Sequence, residues 1–227
     1  MVTLTVRQER TGPVIGRHPW VFSHALKGLP DGLPPGEPVR LVDERGRFLG
    51  AGYFSSYSQI AVRLWSFDEK EAVDDLFFER RIEDALALRR MYLDQEGTDA
   101  YRVVNGENDR LPGLIVDKYG SYVVVQFHTR GIESWSSQIV RALERVLCPT
   151  GIYDRSDLPV RRYDDLGPRE GLLSGTVPDI VSIKENGLTF LVDLKHGQKT
   201  GFFLDQRDKR KALVKYSSGK DVLNCFS

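Results

Sequence analysis

The sequence predicts an α+β chain of several parts: a small β-barrel, a central mixed α/β region, and the opening of a further α/β sheet. Three patterns carry that reading. First, apolar runs at residues 39–42, 48–54 and 60–65 are separated only by short connections, the spacing of an antiparallel meander that closes on itself. Second, hairpin signatures around Gly120 and at Asn186-Gly187 flank a helix whose apolar face can cover a sheet. Third, LVDLKHGQKTGFFLDQRDKR and the terminal DVLNCFS read as an apolar strand, a polar loop, a helix and a second apolar strand. A helix feeding a buried strand begins an open α/β sheet, whose ligand loop lies past the carboxyl end of the first strand.

Composition narrows the class. Lys plus Arg and Asp plus Glu number 32 each, so the formal net charge is zero and nothing global announces nucleic acid; where the charges lie decides instead. No apolar run approaches the roughly 18 residues of a membrane span. Residues 1–10 hold no apolar signal core. Cys148 and Cys225, far apart in a chain without an export signal, read as free thiols in a reducing cytoplasm.

Along the chain, Val2, Leu4 and Val6 alternate with polar residues as a half-buried strand does. Residues 16–19 break the chain before Trp20, Val21 and Phe22, a cluster too apolar to leave in water. Residues 29–36 carry three prolines and two glycines and must be loop. After a charged linker at 68–75, Phe78, Ile82, Ala85 or Leu86, Arg89 and Leu93 recur at three- and four-residue steps, predicting a helix through Asp94 and a break at 96–99. Its arginines are interleaved with Glu79, Glu83 and Asp84, which favours a solvated face over an RNA track.

Residues 101–104, 114–118, 122–127 and 151–154 read as strands, and 132–147 as one amphipathic helix ended by Cys148 and Pro149. Residues 155–162 read as loop, 167–176 as an exposed glycine-rich stretch, and 180–184 with 188–192 as a hairpin. In the last part Asp205 is expected to cap a helix, Asp208 to sit in its first turn, and Ser217, Ser218 and Gly219 to end it. Val222, Leu223, Cys225 and Phe226 are expected as a strand buried in a parallel sheet.

QKTGFFLDQR followed by VLNCFS resembles the beginning of the catalytic domain of S-adenosylmethionine-dependent 23S rRNA cytosine-5 methyltransferases of the bacterial large-subunit type. GRHPWVFSHAL, DERGRFLGAGYFS and IAVRLWS resemble that family's N-terminal PUA domain, an RNA-binding barrel. RVVNGENDRLPGLIVDKYG and IYDRSDLPVRR resemble its central domain. The resemblance implies a PUA-like barrel over residues 1–72, a central domain over 73–188, and over 189–227 the edge of a Rossmann-like class I methyltransferase domain, truncated where the family's strand runs on into its cofactor loop. It implies S-adenosylmethionine as cofactor, 23S rRNA as partner and a cytoplasmic location, and leaves a homodimer open. It also puts Lys199, Thr200, Gly201, Phe202, Phe203, Asp205 and Gln206 in the cofactor-facing motif. There the aromatic pair would pack near the cofactor, with Thr200 and Gln206 offering hydrogen bonds; for Phe203 and Leu204 ordinary core is an equal reading.

Candidate RNA contacts are Arg17, His18, Lys27 and Arg47 in the barrel and Arg161 and Arg162 in the central region, each weighed against plain solvated charge. Asn105, Glu107, Asn108 and Asp109 lack the ladder and terminal Glu of a calcium loop, and Asp193 with His196 is an incomplete ligand set, so no metal is expected. Arg155 and Asp157 read as a pair that holds its loop. Cytosine-5 methylation needs a thiolate nucleophile and a base. Cys148 at a helix end and Cys225 inside an apolar strand read as structural, because burial makes a thiol inert. No catalytic residue is assigned, since the resemblance implies a nucleophile beyond Ser227; the chain is expected to recruit RNA without catalysing transfer. The alternatives are a stand-alone RNA-binding adaptor and a nucleotide-dependent oxidoreductase.

Overall fold

In the computed structural model, which describes residues 1–29, 32–93, 97–223 and 225, the alternating apolar residues of the first third close a barrel. Strands β1 (Val2–Thr5), β2 (Trp20–Phe22), β3 (Pro38–Val42), β4 (Phe48–Phe54) and β5 (Ile60–Ser66) form one sheet in the order β1-β3-β4-β5-β2. The last three in sequence are the expected antiparallel meander. β1 lies parallel to β3, and the two edges meet where Val6 bridges Leu26. Closure joins what would otherwise be two open strand edges. Leu4, Val6, Val21, Val39, Leu41, Val62 and Leu64 fill the interior. At Gly52 a Cβ would stand 2.0 Å from the Arg63 carbonyl oxygen, so β4 can approach β5 there only without a side chain. A short helix, α1 (Thr11–Ile15), which no periodicity announces, connects β1 to β2.

Helix α2 (Asp75–Tyr92) starts where Asp74 Oδ1 accepts the Phe77 N–H at 2.8 Å, a side-chain N-cap. The expected continuation to Asp94 and part of the break at 96–99 fall outside the described residues. β6 (Ala100–Asn105), β7 (Leu114–Tyr119) and β8 (Tyr122–Phe127) form a meander. After α3 (Arg130–Ser134) and α4 (Ser136–Leu147) the chain returns as β9 (Gly151–Ser156), parallel to β8, and β10 (Arg169–Gly175) completes the sheet β10-β9-β8-β7-β6. Phe77, Phe78 and Ile82 of α2 and Ile139 and Leu143 of α4 share a core with Val103, Val116 and Val125 of the sheet. Tyr53 and Trp65 of the barrel belong to that same core, and the Tyr53 hydroxyl lies 2.7 Å from Thr129 Oγ1. The barrel is therefore seated on the central sheet through buried side chains.

The other face of the sheet is covered by the hairpin β11 (Ile180–Glu185) and β12 (Leu188–Asp193). Its turn has Asn186 at φ 49° and Gly187 at φ 80°, the left-handed pair an Asn-Gly hairpin turn requires. Val181, Ile183, Val192 and Leu194 pack on Ala100, Tyr119 and Val124. A 3-10 turn (Leu204–Gln206) leads into α5 (Arg207–Ser217). No helix among the described residues is long and apolar enough to cross a membrane.

Five expectations are corrected. The single helix over 132–147 is two, broken at Trp135, whose ring packs against Trp65 at 6.0 Å and Phe78 at 5.4 Å. The glycine-rich stretch is largely strand β10, antiparallel to β9; its glycines permit close approach, a Cβ on Gly175 standing 2.1 Å from the Thr150 carbonyl oxygen. Asp205 does not cap the last helix, because its carboxylate is taken by Lys199 Nζ at 2.8 Å, and Gln206 precedes α5 without a side-chain bond. Residues 221–223 form no strand: Val222 is 59% and Leu223 85% exposed, and no described strand pairs with them. An apolar run becomes a buried strand only with neighbours on its edges. Cys225 is exposed, as is Cys148, so burial does not silence either thiol; Phe226 falls outside the described residues.

Candidate cofactor-facing and nucleic-acid cleft

Beside the C-terminal half of α2 lies an open cleft of about 680 Å³. One wall is Arg89 and Tyr92 of α2 with Tyr101, Arg102 and Asn105 of β6; the other is the segment carrying Lys199, Phe202, Asp205 and Arg207. Arg102 is aimed by Asp117, fully buried on β7, whose oxygens accept Nε at 2.8 Å and Nη2 at 2.9 Å. Such a fork fixes the plane of the guanidinium, and the bond to Asp117 pushes the Arg102 pKa up. Arg89 is held similarly by Asp109, which also accepts the Asn105 N–H at 2.6 Å.

The facing wall is tied to the same sheet. Thr200, 1% exposed, donates to Asp117 Oδ2 at 2.6 Å, and its oxygen lies 2.7 Å from the Tyr119 hydroxyl. An ionised carboxylate only accepts, so Tyr119 donates to Thr200 and Thr200 to Asp117. Burial pushes the Tyr119 pKa up, which keeps that hydroxyl protonated as the chain requires. Arg155 donates to the carbonyls of Leu194 (3.0 Å) and Gly197 (3.3 Å). Arg210 pairs with both oxygens of Glu185 at 2.6 Å, donates to the Phe203 carbonyl at 2.9 Å, and lies 4.3 Å from the Phe202 ring centroid.

Of the seven residues expected to face a cofactor, Lys199, Phe202 and Asp205 line this cleft. Lys199 sits 4.5 Å from the Phe203 ring centroid, and its bond to Asp205 holds that carboxyl below its ordinary range. The Thr200 hydroxyl is committed to Asp117 and Tyr119, which corrects its expected role as a free hydrogen-bond donor. Gly201 holds φ 132° with Val192, Asp193 and Leu194 around it, Phe202 packs on Phe190 at 5.2 Å, Phe203 is half-buried, and Gln206 is exposed.

The expected RNA contacts separate by burial. Arg17 and His18 are exposed, the latter accepting the Trp20 N–H on Nδ1 at 3.2 Å. Lys27 pairs with Glu44 at 3.3 Å at the surface, whereas Arg47, itself exposed, reaches the buried Asp43 at 2.7 Å. Arg162 is exposed, 5.5 Å from the Tyr163 ring. Arg161 is corrected: at 2% exposure its guanidinium is directed to the Phe127 and Gly167 carbonyls and to Glu133, leaving no face for a phosphate. Arg155 does pair with Asp157, at 3.4 Å, but is itself buried on β9 and chiefly holds the backbone at 194 and 197. Sequence reasoning missed Asp117 and Arg102 and weighed Asp109 only as part of a polar loop, because their pairings join different elements and leave no local signal. Among the described residues no three His, Cys, Asp or Glu side chains gather to hold a metal ion.

Residues 4–67 match the PUA-like domain family. A structure from Streptococcus mutans described as a SAM-dependent methyltransferase matches with a TM-score of 0.77 and 25% identity, over 96% of this chain and 55% of that one. A second, described as a methyltransferase complexed with SAH, matches with a TM-score of 0.79 and 25% identity, over 95% and 54%. The sequence relatives are more particular. The chain is 40% identical over all 227 residues to Ribosomal RNA large subunit methyltransferase I of Escherichia coli O139:H28, and equally to those of Shigella dysenteriae serotype 1 and Cronobacter sakazakii. It spans 57% of the length of each of these relatives. The resemblance to rRNA methyltransferases thus holds along the entire chain.

Proposed function

We propose that this chain is the RNA-recruiting portion of an S-adenosylmethionine-dependent methyltransferase that acts at carbon 5 of a cytosine in 23S rRNA in the cytoplasm, and that by itself it binds RNA without transferring a methyl group. One observation carries the reading: the segment resembling a cofactor-facing motif is locked by Thr200 onto the sheet that also seats the PUA-like barrel, and by Arg210 onto the hairpin packed against that sheet. RNA held by the barrel is thereby kept in register with the cleft. The working division is 1–72, 73–188 and 189–227, the last beginning inside β12.

S-adenosylmethionine, when bound, supplies the methyl group. Phe203, Asp205 and Gln206 retain surface with which to hold it, alongside Lys199, whereas Thr200, Gly201 and Phe202 position the segment. Arg17, His18 and Arg162 are free to meet RNA. Lys27 can exchange its partner for phosphate, because surface ion pairs hold by only about 0–1 kcal/mol, and Arg47 is exposed enough to reach a phosphate while the buried Asp43 keeps the backbone N–H groups of Arg45 and Arg47. Neither Cys148 nor Cys225 lines the cleft, so no thiol is placed to add to a cytosine ring.

The test is fluorescence anisotropy of labelled 23S rRNA fragments with this chain across a salt series, run beside a tritiated methyl-transfer assay. Affinity is expected to fall steeply with salt, with no methyl incorporation. Binding that ignores salt, or methyl transfer by this chain, refutes the reading.

A further inference from the structure

A second cavity, of about 530 Å³, lies where the barrel meets the central sheet, away from the 199–208 segment. The barrel contributes Arg17 and residues 64–68 to it; the central region contributes Arg81 of α2 and Glu107, Asn108 and Arg110 of the 3-10 turn Gly106–Asp109 and its cap. Trp20 Nε1 donates across the seam to Glu107 Oε1 at 2.8 Å.

Two features set this cavity apart. Arg17 and Arg110 each end a short helix in the left-handed conformation, at φ 62° and 59°. That helix-ending position favours glycine, which adopts it without strain. Both positions instead carry a long cationic side chain, and both line one cavity. The carboxylates around them are engaged: Glu71 by Arg81 and Ser66, Glu107 by Trp20, and Asp68 by the Lys70 N–H. Among the described residues no carboxylate comes within ion-pair distance of Arg17 or Arg110.

The cavity wall also holds buried donors with no acceptor. Trp65 Nε1 and Arg81 Nε have no hydrogen-bond partner among the described residues, in side chains 1% and 8% exposed. Buried polar groups of this kind are seldom left unpaired. Burial and the nearby charge of Arg110 both depress the Arg81 pKa, so the cations here act on one another.

We propose that this seam cavity is an anion site for one backbone phosphate of the bound RNA, gripped by Arg17 from the barrel and Arg110 from the central sheet. The assignment rests on the RNA-binding reading above and adds what that reading lacks: a contact that both parts of the chain make to the same strand. An RNA phosphate there supplies acceptor oxygens to Arg17 and Arg110, because the carboxylates of Asp68, Glu71 and Glu107 in the same lining are already engaged by other donors. It also makes RNA binding report on the barrel and the sheet together.

The test uses the 227-residue chain with Arg17→Gly and Arg110→Gly combined. Glycine suits both backbone positions, so the variant should fold with an unchanged or raised Tm. Losing one phosphate contact should make the slope of log affinity against log salt shallower by roughly 0.7–0.9, which at 0.1 M salt is about a five- to eightfold weaker complex. The Arg17→Lys, Arg110→Lys chain keeps both charges and should keep the slope. A folded glycine variant with the wild-type slope overturns the proposal and leaves RNA binding itself standing, the two arginines then serving only to end their helices. Wild-type chain that binds no RNA refutes the broader reading and this assignment with it. Inorganic phosphate bound by the wild type and lost in the glycine variant, with the RNA slope unchanged, marks a free-phosphate site and also overturns it.

Discussion

Replacing Arg102 with Met removes the guanidinium and keeps much of its aliphatic volume, which isolates what the cation does for Asp117. That carboxylate is 0% exposed and accepts bonds of 2.8 and 2.9 Å from Arg102 and 2.6 Å from Thr200. Removing one partner of a buried ion pair costs about 3–5 kcal/mol, because the other charge is left uncompensated. The Arg102 side chain is 37% exposed, so water screens part of the interaction and the expected loss is about 2–3 kcal/mol. Urea unfolding should show it as a lower midpoint with an unchanged slope. A Tm decrease of roughly 4–12 °C corresponds, at about 2–4 °C per kcal/mol for a chain of this size. Thr200 shares the same carboxylate, so amide exchange over residues 195–203 should quicken more than exchange in the barrel strands. Adding Asp117→Asn to Arg102→Met should recover stability, since a neutral amide needs no counter-ion. An Arg102→Met chain within about 0.5 kcal/mol of the wild type, or one whose loop exchange is unchanged, refutes the claim that Asp117 pins the cleft from behind.

Gly131→Ala should destabilise the chain by about 1–3 kcal/mol, read by differential scanning calorimetry, because a Cβ there would stand 2.0 Å from the Tyr53 ring where barrel and sheet join. His128 is depressed below its ordinary 6.5 by burial and by the charge of Arg102. The unfolded chain therefore binds its proton more readily, and stability should fall as pH drops below about 6.5 and level off beneath the folded-state value; His128→Gln should flatten that part of a pH series of urea midpoints. Both cysteines are exposed, so a chromogenic thiol reagent should label two thiols per native chain without denaturant. Labelling of only one would show that the tail around Cys225 is covered in solution.

Local pattern alone determined much of this protein. The meander of the barrel, the strands at 101–104, 114–118 and 122–127, and the Asn186-Gly187 turn were legible because each depends on period-two apolarity or on a left-handed turn that few residues adopt. Tertiary structure alone decided which charges are free. Arg161 and Arg162 are adjacent and chemically alike, yet one is sealed against backbone carbonyls and Glu133 and the other faces solvent. Thr200 reads as a ligand-binding hydroxyl until Asp117, far behind it in sequence, claims it. Barrel closure through Val6 and Leu26, the pairing of the glycine-rich stretch as β10, and the failure of residues 221–223 to form a strand have the same cause. A strand edge or a buried charge is defined by its partner, and partners distant along the chain are supplied only by the fold.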